Sequence, residues 1–199
     1  MTLNRANKIT ILRILAIVPF IICMLKVNEL SIGLLMRYIS LTLLLLMGLS
    51  DAYDGYVARK KNQITRLGSF LDPMADKLLV ASACLLLSIK ATAVAGFRLP
   101  PTVAVLIIGK DFFLLLGFVI LYFLTLQVKI IPAYIGKIAT CLQISMVAAI
   151  LIAPDVSKAF PGWIWVLRFL WWSAAATAVT ATLIYINAGT RYIEQFDNS

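Results

Sequence analysis

The stretch from Asp51 to Lys77 reads DAYDGYVARKKNQITRLGSFLDPMADK and holds four of the nine acidic residues in the chain. Asp51 and Asp54 are three apart and Asp72 and Asp76 four apart, so on helices each pair projects from one face, and the pairs can converge across a helix hairpin. Carboxylates beside apolar sequence are costly to desolvate unless a cation compensates them. Oxygen-only ligands suit a hard divalent ion such as Mg²⁺ or Mn²⁺, and the chain has no histidine to hold zinc or iron through imidazole. Between the pairs stand Arg59, Lys60, Lys61 and Arg66, a basic clamp beside a carboxylate cage. Carboxylate-held ions with arginine nearby suit a diphosphate, where they stabilise a leaving phosphate and help to activate a hydroxyl nucleophile. Gly55 and Gly68 let a base or phosphate come close to the backbone. A single aspartate of this kind is more simply a solvated group paired with a flanking base; four at these spacings are not.

The elements that must position these residues are membrane helices. With 62% hydrophobic and 14% charged residues in 199, the composition is that of a polytopic membrane protein. Crossing a hydrocarbon layer of roughly 30 Å takes about 20 helical residues, and six runs approach or exceed that length: 9 to 26, 31 to 50, 73 to 95, 101 to 126, 134 to 153 and 161 to 187. The expected fold is all-α, a six-helix membrane domain covering residues 1–199 as one unit, with no linker or repeat to divide it. Strands are excluded by runs too continuous for the alternation of a barrel. The first run, preceded or entered by Arg5, Lys8 and Arg13, resembles a signal peptide but has no small-residue cleavage pattern around Cys23 to Glu29; it is read as a retained helix.

Six alternating spans put nine Lys and Arg residues on the side of the N-terminus, the 59–66 loop, Lys129, Lys137 and Arg191, against four on the other, Lys26, Lys90, Arg98 and Lys158. The positive-inside rule then makes both termini and all four aspartates cytoplasmic. The net charge of +9 reflects topology and attraction to anionic lipid; nucleic acid is not expected, since the bases lack interleaved stacking aromatics. Cys23, Cys84 and Cys141 sit singly in different runs and read as packing residues.

These residues carry a resemblance. The pattern D-x2-DG-x2-AR-x8-G-x3-D-x3-D is met in full by Asp51, Asp54, Gly55, Ala58, Arg59, Gly68, Asp72 and Asp76. It resembles the signature of the class I CDP-alcohol phosphatidyltransferases, six-helix membrane enzymes, and NKITILRILAIVPF (Asn7 to Phe20) is similar to the opening of the phosphatidylglycerophosphate synthases among them. The resemblance implies that Asp51, Asp54, Asp72 and Asp76 hold Mg²⁺ or Mn²⁺, as two ions, and that Asp76 is the base taking a proton from the acceptor hydroxyl. It implies that Asp51, Gly55, Ala58, Arg59, Gly68 and Asp72 receive the CDP headgroup of CDP-diacylglycerol, with release of CMP. A bacterial inner membrane, with the site facing the cytoplasm, is the expected setting.

For the acceptor, Lys110 and Asp111 fall near the middle of the fourth run, where ionisable groups are rare; function is preferred over a structural pair with Arg37 or Arg168. Lys137 and Thr140, in IGKIAT, resemble a GK-x2-T of phosphatidylglycerophosphate synthases, although Lys137 can equally be an interfacial anchor. Those synthases usually carry Arg-Glu and a further arginine where this chain has Lys110-Asp111 followed by FFLLLGFVILYF, so a phosphomonoester would miss a cation there. Cardiolipin synthases of the same family resemble this chain in the fourth run and from Leu167 to Arg191. Glycerol 3-phosphate is the first expected acceptor and phosphatidylglycerol the second, with inositol phosphate, serine and other alcohols behind.

Trp163 and Trp165 read as an interfacial belt, and Trp171 and Trp172 as facing lipid or neighbouring helices, not a ligand. The run SAAATAVTAT (Ser173 to Thr182) reads as close helix packing, with a homodimer interface as one use. A divalent-cation transporter would want acids at several depths, whereas only Asp111 is expected deep. A structural anchor explains the spans but not the aspartate spacing.

Overall fold

The computed structural model describes the backbone of residues 5–61, 66–125 and 134–197, and the side chains of residues 12–50, Ala75, 77–116, Gly136, 138–187 and Thr190. Six helices lie among the described residues: α1 (Arg5–Leu25), α2 (Gly33–Lys61), α3 (Arg66–Ser88), α4 (Pro101–Thr125), α5 (Tyr134–Ala159) and α6 (Trp163–Asp197). No strand occurs among those residues. α1 packs on α2 and α3, α5 on α2, α3 and α6, and α4 on α3 and α6.

Many side chains that soluble proteins bury face outward here. Leu12, Leu15, Val18, Ile22 and Leu25 form one exposed face of α1, and Trp165, Phe169, Trp172 and Leu183 stand out from α6. The opposite face of α1, with Ile17, Phe20 and Met24, enters the core. An outer surface this apolar is stable against lipid, not water. Three helices contain described stretches long and apolar enough to cross a membrane, Gly33–Ser50, Ile138–Ala159 and Trp163–Asn187, and shorter apolar stretches cover Leu12–Leu25 and Lys77–Ser88. The protein is an integral membrane protein.

Two expected boundaries move in ways that matter for the site. α2 does not stop at residue 50 but continues through Lys61, and α3 begins at Arg66 and ends at Ser88 instead of running from 73 to 95. The early end of α3 has a clear cause in its last carbonyls. Ile89 N–H bonds that of Leu85 (3.2 Å), Thr92 Oγ1 that of Leu86 (2.6 Å), Leu99 N–H that of Leu87 (3.1 Å) and Arg98 Nε that of Ser88 (2.6 Å). The connection thus takes over the acceptors a longer helix would have used, turning through Gly96 at φ 83°. Pro101 then opens α4, where its missing N–H costs nothing. α5 passes the expected end at 153 and carries Pro154 inside it.

The small-residue face of α6 is used within the chain. Ala174, Ala175, Ala178 and Ala181 are buried in the bundle, while Ala176, Val179 and Thr180 of the same run are exposed. Trp171 is buried and Trp165 and Trp172 are exposed; Cys23 and Cys84 are buried free thiols and Cys141 an exposed one.

Candidate active site

The helix bounds decide how the aspartates can meet. Asp51 and Asp54 lie on the last part of α2 and Asp72 and Asp76 on the first part of α3, so both pairs do sit on helices, at the expected i, i+3 and i, i+4 spacings. Asp51 is ten residues before the end of α2 and Asp76 ten residues after the start of α3, either side of the short segment 62–65. At 1.5 Å of rise per residue, each stands about 15 Å from its end of the hairpin. The side chains of Asp51, Asp54, Gly55, Ala58, Arg59, Gly68, Asp72, Asp76 and Lys137 lie outside the described residues. Among the described residues, no group of three or more His, Cys, Asp or Glu could hold a metal.

α5 runs antiparallel to α2 in a register fixed at two points. Arg37 Nη2 bonds Asp155 Oδ2 at 2.7 Å, and eleven residues along α2, Gly48 faces Ile144, eleven residues back along α5; a Cβ on Gly48 would touch that side chain at 3.9 Å. Extended toward the aspartates, the same register sets Asp51 level with Cys141, Ala52 with Thr140 and Gly55 with Lys137. The two acceptor residues expected on α5 therefore share the height of the first aspartate pair. Thr140 Oγ1 donates to Gly136 O at 3.1 Å, which leaves its oxygen free to accept.

On α4, Lys110 and Asp111 pair with each other, Nζ to Oδ1 at 3.2 Å, with side chains 5% and 12% exposed. That oxygen has no partner in good hydrogen-bonding geometry. Neither expected structural partner is involved: Arg37 binds Asp155, and Arg168 lies 4.8 Å over the Trp165 ring. Sequence reasoning passed over Lys77, a half-buried neighbour that feels the charges of both Lys110 and Asp111. Counted from the α3–α4 connection, Lys77 is eleven residues above Ser88 and Asp111 ten above Pro101, so both rise about 16 Å to one height. Asp111 is thus not alone at depth; Asp76 and Lys77 share its level. The lysine following the last aspartate was the available signal. Gln143, 1% exposed in the core face of α5, was also missed; a lone amide in an apolar run was its signal.

Trp163, expected in an interfacial belt with Trp165, instead packs against the core and donates from Nε1 to Ala149 O at 3.3 Å. A shallow groove of about 520 Å³ along Trp165, Arg168, Phe169 and Trp172 opens on the outer face of α6, away from the bundle interior.

Residues 3–187 match the family described as CDP-alcohol phosphatidyltransferase. The chain belongs to this family. It is an enzyme of phospholipid biosynthesis, and family members transfer from CDP-alcohol donors to alcohol acceptors and generally depend on a divalent metal. A relative from Bacillus subtilis (strain 168), a CDP-diacylglycerol–glycerol-3-phosphate 3-phosphatidyltransferase, is 36% identical over 157 residues, covering 75% of this chain and 77% of that protein. One of the same name from Rickettsia bellii (strain RML369-C) is 43% identical over 84 residues, 42% of this chain and 44% of that protein. The human cardiolipin synthase (CMP-forming) is 30% identical over 172 residues, 78% of this chain and 54% of that protein. By backbone height, Asp51, Asp76, Lys77, Asp111 and Thr140 fall in one layer of the bundle.

Proposed function

We propose that this protein transfers the phosphatidyl group of CDP-diacylglycerol to glycerol 3-phosphate, releasing CMP. The observation that carries the reading is the complete eight-position motif lying on α2 and α3, with Asp51 and Asp76 at equal distance from the hairpin end. Asp76 takes the proton from the acceptor hydroxyl. The freed oxygen attacks the phosphorus that bears diacylglycerol, the bond from that phosphorus to the CMP phosphate breaks, and CMP leaves with the electron pair. Gly55, Ala58, Arg59 and Gly68, with Asp51 and Asp72, receive the CDP group. The donor set of Asp51, Asp54, Asp72 and Asp76 is all carboxylate, which fits two Mg²⁺ or Mn²⁺ ions. When bound, the ions supply positive charge against the diphosphate.

Lys137, Thr140, Lys110 and Asp111 are the residues assigned to the acceptor. Glycerol 3-phosphate is supported by the Bacillus and Rickettsia relatives, whose names carry that acceptor. Phosphatidylglycerol is the second reading, favoured by one observation. Lys110 is already neutralised by Asp111, so a dianionic phosphate gains less there. In this reading residues 1–199 form one domain of six spans with both termini in the cytoplasm of a bacterial inner membrane, and the site opens on that side.

The test is direct. Purified protein receives CDP-diacylglycerol, Mg²⁺ or Mn²⁺ and each acceptor in turn, and CMP release and product lipid are followed. CMP and phosphatidylglycerophosphate with glycerol 3-phosphate are expected; no CMP with any acceptor overturns the reading.

A further inference from the structure

Gln143 is 1% exposed, and its Nε2 has no hydrogen-bond partner. It shares the inner face of α5 with Ala139, Met146 and Ile150, all fully buried, so the amide can turn neither to water nor to lipid headgroups. A donor left unmet in a low-dielectric core is a cost that apolar packing alone would have removed. The register between α2 and α5 sets Gln143 level with Leu49, two residues and about 3 Å of rise to the apolar side of Asp51.

Resting on the proposed phosphatidyl transfer, we infer that Gln143 is a binding residue for the lipid arm of the donor: its amide donates to an ester carbonyl of the diacylglycerol, just below the diphosphate. The chemistry narrows the partner. An amide Nε2 only donates, so it needs an acceptor oxygen; it is neutral, which suits an uncharged carbonyl better than a phosphate. With the diphosphate at the aspartate layer and the acyl chains running toward Leu49, the ester carbonyls are the first acceptors met on that side. Apolar side chains close over the amide, and an acyl lipid entering between helices is the kind of ligand that parts them.

The experiment compares native protein with Gln143→Leu for binding of CDP-diacylglycerol and of CDP alone, with Mg²⁺ in lipid nanodiscs, and records thermal unfolding. The expected result is CDP-diacylglycerol bound about five- to tenfold more weakly by the variant, the loss of one neutral hydrogen bond, with CDP binding unchanged and unfolding temperature equal or higher. Equal affinity of both proteins for CDP-diacylglycerol overturns the inference. A parallel loss for CDP and CDP-diacylglycerol overturns it too, because the contact would then not be to the lipid arm. If Gln143→Leu does not fold, Gln143→Met, of matching length without a donor, is read by the same ratio. A native protein that binds neither ligand removes the phosphatidyl-transfer reading and this contact with it, an outcome distinct from a variant that matches a binding-competent native protein.

Discussion

The two ends of this bundle spend their polar groups differently. Where α1 turns into α2 and α3 joins α4, they are used up on the protein itself. Asn28 Nδ2 donates to the carbonyls of Ala91 (3.0 Å) and Ala93 (2.9 Å), and Asp155 Oδ2 takes both Arg37 (2.7 Å) and the Tyr38 hydroxyl (3.0 Å). Arg37 leaves its Nε unmet, but its charge is answered. In the layer of Asp51 and Asp76, Gln143 Nε2 is buried with no partner at all, whereas Asp111, like Arg37, has its charge answered, here by Lys110. Polarity that closes on itself holds a fold together, whereas polarity left partly unmet in a low-dielectric interior is a cost that a substrate can offset.

That contrast predicts that changes in the aspartate layer remove activity and spare stability, and changes at the opposite end do the reverse. The largest effect is expected from chelation: EDTA abolishes CMP release, and excess Mg²⁺ or Mn²⁺ restores it, without unfolding the bundle as followed by circular dichroism. Asp76→Asn should lower turnover by roughly 10²–10⁴, the usual worth of a general base, at an unchanged unfolding temperature; retained turnover takes Asp76 out of that role. Arg37→Leu should destabilise the protein by about 1–3 kcal/mol, less than for a fully buried pair because the Asp155 side chain is 33% exposed. CMP release per folded molecule should stay within about twofold, and a larger loss would erase the distinction between the ends. Asn28→Ala should cost about 1–2 kcal/mol for its two hydrogen bonds, again in unfolding temperature alone.

The sequence made the chemistry plainer than the geometry. Carboxylate spacing and eight motif positions need only residue order, so the aspartates, their place on helices and the family were legible at once. Hydropathy ends a span where charge begins, and so it stopped the second span at residue 50, although helical hydrogen bonding continues through Lys61. The third span was carried too far for the converse reason. Ala91, Ala93, Val94 and Ala95 look apolar, and nothing local shows that Thr92, Arg98 and Leu99 will take the final carbonyls of α3. Lys77 and Gln143 were missed because their meaning is relational. A lysine after an aspartate or one glutamine in a greasy helix becomes informative only when a neighbouring helix sets its height.

Asn28 also bears on how the molecule is assembled. Its partners lie 63 and 65 residues further along the chain. The first pair of helices can enter the bilayer as soon as it is synthesised, but the tie made by Asn28 must wait until the connection after α3 has been delivered to the same face. Until then its amide has only water or headgroups to bind. Its capture by Ala91 and Ala93 ties the α1–α2 turn to the α3–α4 connection, so a crosslink from residue 28 to that connection is expected to form only when both are in place, independently of catalysis.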